Sequence, residues 1–170
     1  SKGYLYAGSN TLTQVAQTSL GTVAKLLPNE LGIYDMSGNI AEMTLDYLPN
    51  HETGYPSANA QVNPRQISPT GNRAIRGLRW NTTEINCRIS HRNAYSPTYY
   101  SPRMGFRLVL SEEQDFRTIQ IDGSYFDMSF VKGGTFMMGS DALDAQADEQ
   151  PVHEVTLSDY YIGQTEVTQH

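Results

Sequence analysis

Short runs of alternating apolar and polar residues dominate the second half of the chain, whereas the first half is broken up by glycine, serine, asparagine and proline. Val155 and Leu157 alternate with Glu154 and Thr156, the period of two expected of a half-buried strand. By the same reading Phe116 to Ile121, Phe126 to Val131, Thr135 to Met138 and Val152 to Leu157 are strands. Gly133-Gly134 lies between two of them and predicts a hairpin turn, because glycine accepts positive φ without steric cost. Earlier in the chain, Arg73 to Trp80 and Gly105 to Leu110 predict short strands, with Phe106 and Leu108 alternating with Arg107 and Val109. Helical spacing occurs within Leu31 to Asp46, where Ile40, Met43 and Tyr47 follow a start near Ser37-Gly38-Asn39. Residues 1–28 read as loops with one or two short strands, and Asn50 to Gly71 has no period and predicts a long irregular loop. The class is α+β, with short strands, few helices and much irregular structure.

Composition narrows the picture. A chain of 170 residues is long enough for one domain with a real core. Hydrophobic content of 38% with 14 Gly and 8 Pro points to a loop-rich globular protein rather than a disordered or fibrous one. A net charge of −6 argues against a nucleic-acid binder, which presents a basic face. No apolar run approaches the ~20 residues needed to span a bilayer. The sequence shows no signal-peptide pattern and starts at Ser1 without Met, which is consistent with a natural N-terminus upstream and leaves the location open. The lone Cys87 excludes an internal disulfide and any thiolate metal cage built within one chain. Eleven tyrosines supply amphipathic contact residues, which line strand-and-loop cores and binding surfaces alike. Ser111-Glu112-Glu113-Gln114-Asp115 is charged and turn-prone, and marks a linker.

The order of the motifs is the most telling feature. One stretch runs Asn29-Glu30-Leu31-Gly32-Ile33-Tyr34-Asp35-Met36-Ser37-Gly38-Asn39-Ile40, then Arg73-Ala74-Ile75-Arg76-Gly77, and closes with Met104-Gly105-Phe106-Arg107-Leu108-Val109. A later one runs Phe130-Val131-Lys132-Gly133-Gly134-Thr135-Phe136-Met137-Met138-Gly139-Ser140, then Asp148-Glu149-Gln150-Pro151-Val152-His153-Glu154-Val155. In these motifs the chain resembles the formylglycine-generating-enzyme (sulfatase-modifying-factor) family, with the family's C-terminal part placed before its N-terminal part. The resemblance covers residues 4–110 and 119–170, and implies a C-type-lectin-like fold. Residues 1–110 then carry the C-terminal part, 111–124 a linker or connecting strand, and 125–170 the N-terminal part. Nothing matches the family's central Arg-Leu-Pro-Thr-Glu-Ala-Glu-Trp-Glu-type section. The chain is therefore read as a junction cut from tandem copies or as a circular permutant. The junction is favoured, because the absent section normally belongs to the core.

The resemblance also implies chemistry. Family members bind calcium near a Gly-Asn-Val-Trp-Glu-Trp motif, which places Gly38, Asn39, Ile40 and Glu42 as the metal positions here. Calcium needs several oxygen ligands, and carbonyls with an Asn and a carboxylate within one turn supply part of that shell. Asn39 and Glu42 also have the spacing of a helix cap and its capping-box partner, and the two readings are compatible. Active family enzymes oxidise a substrate cysteine to formylglycine with O₂ and copper held by two thiolates, the soft ligands that Cu(I) selects. Cys87 falls on the second of those cysteines and is the catalytic candidate, whereas the first falls on Thr82, a hard hydroxyl. The family's pocket serine falls on Arg79, and its two tryptophans fall on Ala41 and Met43. Four departures in one pocket argue that the oxidase chemistry is lost and that copper is not held. Cys87 reads as a small buried apolar residue, and His51, His153 and His170 have no metal-ligand spacing.

Between Arg79 and Arg103 the chain is dense in contact residues: Arg79, Trp80, Asn81, Asn86, His91, Asn93, Tyr95, Tyr99, Tyr100 and Arg103. Aromatic and Arg side chains supply hot-spot area, and Asn supplies adaptable hydrogen bonds. In C-type-lectin-like proteins the corresponding region presents ligand-binding side chains. The expectation is thus a non-catalytic relative that binds a protein or glycan ligand. Its rivals are a sulfatase-modifying oxidase and a structural module of an envelope-associated assembly. The cell envelope or extracellular space is the favoured location, with no nucleic-acid partner.

Overall fold

Thirteen short strands and one helical turn are found in a computed structural model that describes residues 3–48, 58–67, 71–77, 83–111 and 118–168. In chain order come α1 (Leu12–Val15), β1 (Ala16–Gln17), β2 (Ser37–Gly38), β3 (Ala41–Leu48), β4 (Gln61–Val62) and β5 (Asn72–Arg76). A 3-10 turn (Glu84–Cys87) then precedes β6 (Asn93–Tyr95), β7 (Met104–Gly105) and β8 (Val109–Leu110). The second part holds β9 (Thr118–Ile121), β10 (Ser124–Val131), β11 (Gly134–Met138), a 3-10 turn (Ala147–Glu149), β12 (His153–Leu157) and β13 (Tyr160–Gly163). The fold is β-rich among the described residues, with short strands and little helix, as the sequence pattern predicts.

The two parts of the sequence interlock. One sheet, in the order β6-β5-β3-β7, belongs wholly to the first part. The other large sheet, β8-β13-β10-β9, is shared, because β8 pairs with β13 from across the linker. A third sheet is shared too, since β4 pairs parallel to β12 and β11 lies on the far side of β12. A bridge from Phe106 to Val167 and a hydrogen bond from the Tyr34 N–H to the Gln164 carbonyl (2.8 Å) extend this seam. The apolar core is divided. Ala41, Ile75 and Met104 form one cluster with Met43 and Tyr95 against it, and Tyr6, Val15 and Cys87 form another.

Three sequence expectations are overturned. The helix expected over residues 37–46 is the strand β3. Gly38 and Asn39 have φ of 86 and 57, which no α-helix can start from, and β3 is paired on both sides, by β5 and β7. The spacing of Met43 and Tyr47 fits a strand as well, since positions four apart also share a face at a period of two, and the register of β3 against β5 shifts between them. Gly133-Gly134 is not a hairpin turn, since β10 pairs with β9 and β13 while β11 pairs with β12. Gly133 instead lets the chain cross the end of β12, where a Cβ would lie 2.5 Å from the Leu157 carbonyl oxygen. The tight hairpin is Asp122-Gly123, between β9 and β10, with positive φ at both residues (47 and 82), as a two-residue loop of this hand requires. Finally, the alternation around Arg107 is inverted. Phe106 is 48% exposed, whereas the Arg107 side chain is only 3% exposed.

Other expectations hold in outline. β5, β9, β10, β11 and β12 occupy the predicted positions within a few residues, and Val155 is fully buried beside exposed Glu154. The predicted loop over 50–71 contains β4, while residues 49–57 and 68–70 lie outside the described residues, as do most of the predicted linker and Trp80.

Gly105 is where the seam is tightest: a Cβ there would sit 2.1 Å from the Val167 carbonyl oxygen and 2.5 Å from Ile40 Cδ1. Gly105→Ala is expected to destabilise the protein by about 1–3 kcal/mol through this overlap. A lowered urea midpoint is the check, and an unchanged midpoint would show that the two segments are not in contact.

Candidate functional site

The residues expected to hold calcium sit at the start of β3, in a buried polar cluster organised by Arg107. The turn at Gly38-Asn39 puts Ser37, Asn39, Ile40 and Glu42 inside the protein, each under 9% exposed. Arg107 reaches Glu42 through Nε (3.1 and 3.2 Å to the two carboxylate oxygens) and through Nη2 (2.5 Å). Its remaining donors go to the Gly163 carbonyl (2.9 Å) and the Tyr34 carbonyl (2.9 Å). Asn39 donates through Nδ2 to Glu166 (2.5 Å) and accepts at Oδ1 from the Gly21 N–H (3.3 Å). Asp35 accepts from the Ala24 N–H (2.6 Å) and from the Gln17 amide (3.1 Å).

Glu166 is the strained member. It is 4% exposed, its Oε2 has no hydrogen-bond partner, and the nearest cation, Arg107, stands 3.7 Å away. Burial, with the charge of Asp35 adding to it, pushes its carboxyl up to about 7, because loss of water disfavours the anion.

The two side chains expected to bind calcium already have internal partners. Both Glu42 oxygens are bound to a guanidinium, whose positive charge would repel a cation, and the Asn39 amide is held between Gly21 and Glu166. The capping role for Asn39 falls with the helix. Among the described residues no group of three or more His, Cys, Asp or Glu side chains is placed to hold a metal ion.

Cys87 is 2% exposed and packs with Tyr6 and Val15. Burial, with nearby Glu84, pushes its thiol up to about 11, so that the group keeps its proton at neutral pH. Thr82 and Arg79, which complete the family comparison, lie outside the described residues, as do Trp80 and Asn81.

The expected contact residues divide. Tyr95 is half-buried against the Ala41, Ile75 and Met104 cluster, and Tyr99 stacks on it with ring centroids 4.8 Å apart. Tyr99 and Tyr100, consecutive in the chain, are 42% and 77% exposed and make an aromatic shelf, of which Tyr99 rests on Tyr95. Asn93 accepts from the N–H of Ala94, while Asn86 and Arg103 are half-buried, and the Arg103 carbonyl accepts from the Ala41 N–H (3.0 Å). His91 is drawn away from the surface, at 7% exposure, with Nδ1 3.4 Å from Asp148. Burial lowers its affinity for a proton.

That histidine belongs to a second charged junction missed from sequence. Glu149, fully buried, accepts from the Gln146 N–H (2.7 Å) and from the Ser90 hydroxyl, with Arg88 at 3.6 Å. Asp148 accepts from the Arg92 N–H (2.8 Å), and Arg88 also pairs with Asp144. The Asp148-Glu149 motif was visible, but a strand-and-loop pattern assigns no partner to a buried acid. His153 lies on β12 at 3% exposure, with Nδ1 3.0 Å from the Pro151 carbonyl.

A β-rich domain with buried ionic junctions and an inaccessible thiol is thus defined. Residues 4–112 and 115–170 match the family described as the Sulfatase-modifying factor enzyme 1-like domain, and the chain belongs to that family. It is 30% identical over 86 residues to the Serine/threonine-protein kinase pkn1 of Chlamydia pneumoniae, covering 51% of this chain and 14% of the kinase. Among solved structures it is similar to Treponema denticola variable protein 1, with 28% identity and a TM-score of 0.47, covering 61% of this chain and 39% of that one. The chain therefore spans less than half the length of either relative.

Two outcomes follow from the cluster. Glu166 binds its proton more tightly folded than unfolded, so its contribution is complete below pH ~4.5 and is lost as pH rises through ~7. Glu166→Gln should remove this slope and be more stable than the wild type at pH 8, by ~3 kcal/mol at most. Urea midpoints of the two proteins across pH 5–8 give the comparison, in which the opposite contribution of His91 cancels. Thermal melts with calcium and with a chelator should coincide. A transition raised by calcium would mean that Glu42 exchanges Arg107 for the metal.

Proposed function

We propose that this chain is a non-catalytic member of its family, a C-type-lectin-like scaffold that binds a protein or glycan ligand. The single observation that carries this reading is the burial of Cys87, the chain's only thiol, which leaves no exposed thiolate for oxygen-dependent chemistry. Support for binding comes from the exposed Tyr99 and Tyr100, large amphipathic side chains of which Tyr99 is already stacked on Tyr95. The shared sheets and the Arg107 cluster support a single folding unit built from both parts of the sequence.

The catalytic rival predicts oxidation of a sulfatase-derived Cys-x-Pro-x-Arg peptide in the presence of copper(I) and O₂. Intact-mass measurement should show the peptide unchanged after incubation with the chain. Conversion of the peptide thiol to an aldehyde would overturn the non-catalytic reading.

A further inference from the structure

A cavity of about 640 Å³ lies between the sheet containing β3 and β5 and the sheet containing β4 and β12. Its size falls within the range of small-molecule pockets, about 300–1,000 Å³. None of the shelf tyrosines lines it, so it is separate from the surface described above. Its buried floor includes Ala74, 4% exposed, and Val155, fully buried, flanked by Met138 and Leu157.

The charge around this floor runs against that of the molecule. In a chain of net charge −6, the lining includes Arg65, Arg76 and Arg92 but a single carboxylate, Asp46. One oxygen of Asp46 is already taken by the Gln66 N–H (2.9 Å). Arg76 is fixed by the carbonyls of His91 (2.6 Å) and Ile89 (2.7 Å), which orient its guanidinium without neutralising it. Held in place by neutral acceptors, a cation keeps its field for a ligand, and low-dielectric walls strengthen that field.

We propose that this cavity binds a small anionic amphiphile: an aromatic or short aliphatic body that rests on Ala74 and Val155, bearing a carboxylate or phosphate that faces the arginines. The apolar floor supplies affinity by burial, and the arginines select for the anion.

Titration calorimetry of the whole chain with 2-naphthoate, and with neutral 2-naphthamide as its twin, tests this. Saturable 1:1 binding of 2-naphthoate is expected, about tenfold or more tighter than that of the amide and weakened by salt. Ala74→Met should abolish binding by filling the floor. Arg65→Ser, a change at an exposed residue, should weaken it several-fold with an unaltered melting temperature, so that misfolding of the first variant does not decide the matter. Absence of saturable binding to the wild type, equal affinity for the two twins, or full affinity in Arg65→Ser would overturn the proposal.

Discussion

The burial of Arg107 is the constraint on which the rest of the structure depends. A guanidinium withdrawn from water must find a counter-charge and an acceptor for each fork of its donors, or the fold loses several kcal/mol. Here the counter-charge comes from Glu42 on β3, and the acceptors come from the carbonyls of Tyr34 and Gly163. These partners lie on three separate stretches of chain, one of them beyond the linker. The left-handed turn at Gly38-Asn39 delivers Glu42, and Gly105 allows β7 to run close enough to residue 167 for Arg107 to reach inward.

The junction of Arg88, Ser90 and Arg92 with Asp144, Asp148 and Glu149 serves the same purpose elsewhere in the fold. Neither apolar cluster is large, so ionic junctions carry much of the geometric specification between the two parts. A buried ion pair is a weak source of net stability, but it penalises every arrangement that leaves one partner alone. That division of labour suits a loop-rich scaffold, in which short strands offer few ladder hydrogen bonds to set register.

The same junctions bear on function. The segment held by Arg88 follows directly on the buried Cys87 and precedes β6, whose Tyr95 stacks with Tyr99. Of the metal positions implied by resemblance, Glu42 is engaged by Arg107 and Asn39 by Gly21 and Glu166. Within this family framework, the described part of the chain keeps its one thiol enclosed and its buried carboxylates engaged by internal partners.

The strands of the second part were legible because a half-buried strand writes its period of two into the sequence, as Val155 and Glu154 do. The family was legible from its motifs, and the loss of a thiolate pair from simple counting of cysteine. The burial of Arg107 and Glu149 was not legible, because a charged residue carries no local mark of a partner more than 50 positions away. Nor was the strand character of β3, because Met43 and Tyr47, four apart, share a face in a strand as they do in a helix, or the true partner of β11, since Gly133-Gly134 fits a hairpin as well as a close crossing. By itself the sequence determined the elements whose pattern is local, and with them the family. Only the tertiary structure decided which acids and bases meet and which apparent ligands are already engaged, because those pairings are set by long-range contacts that no local period records.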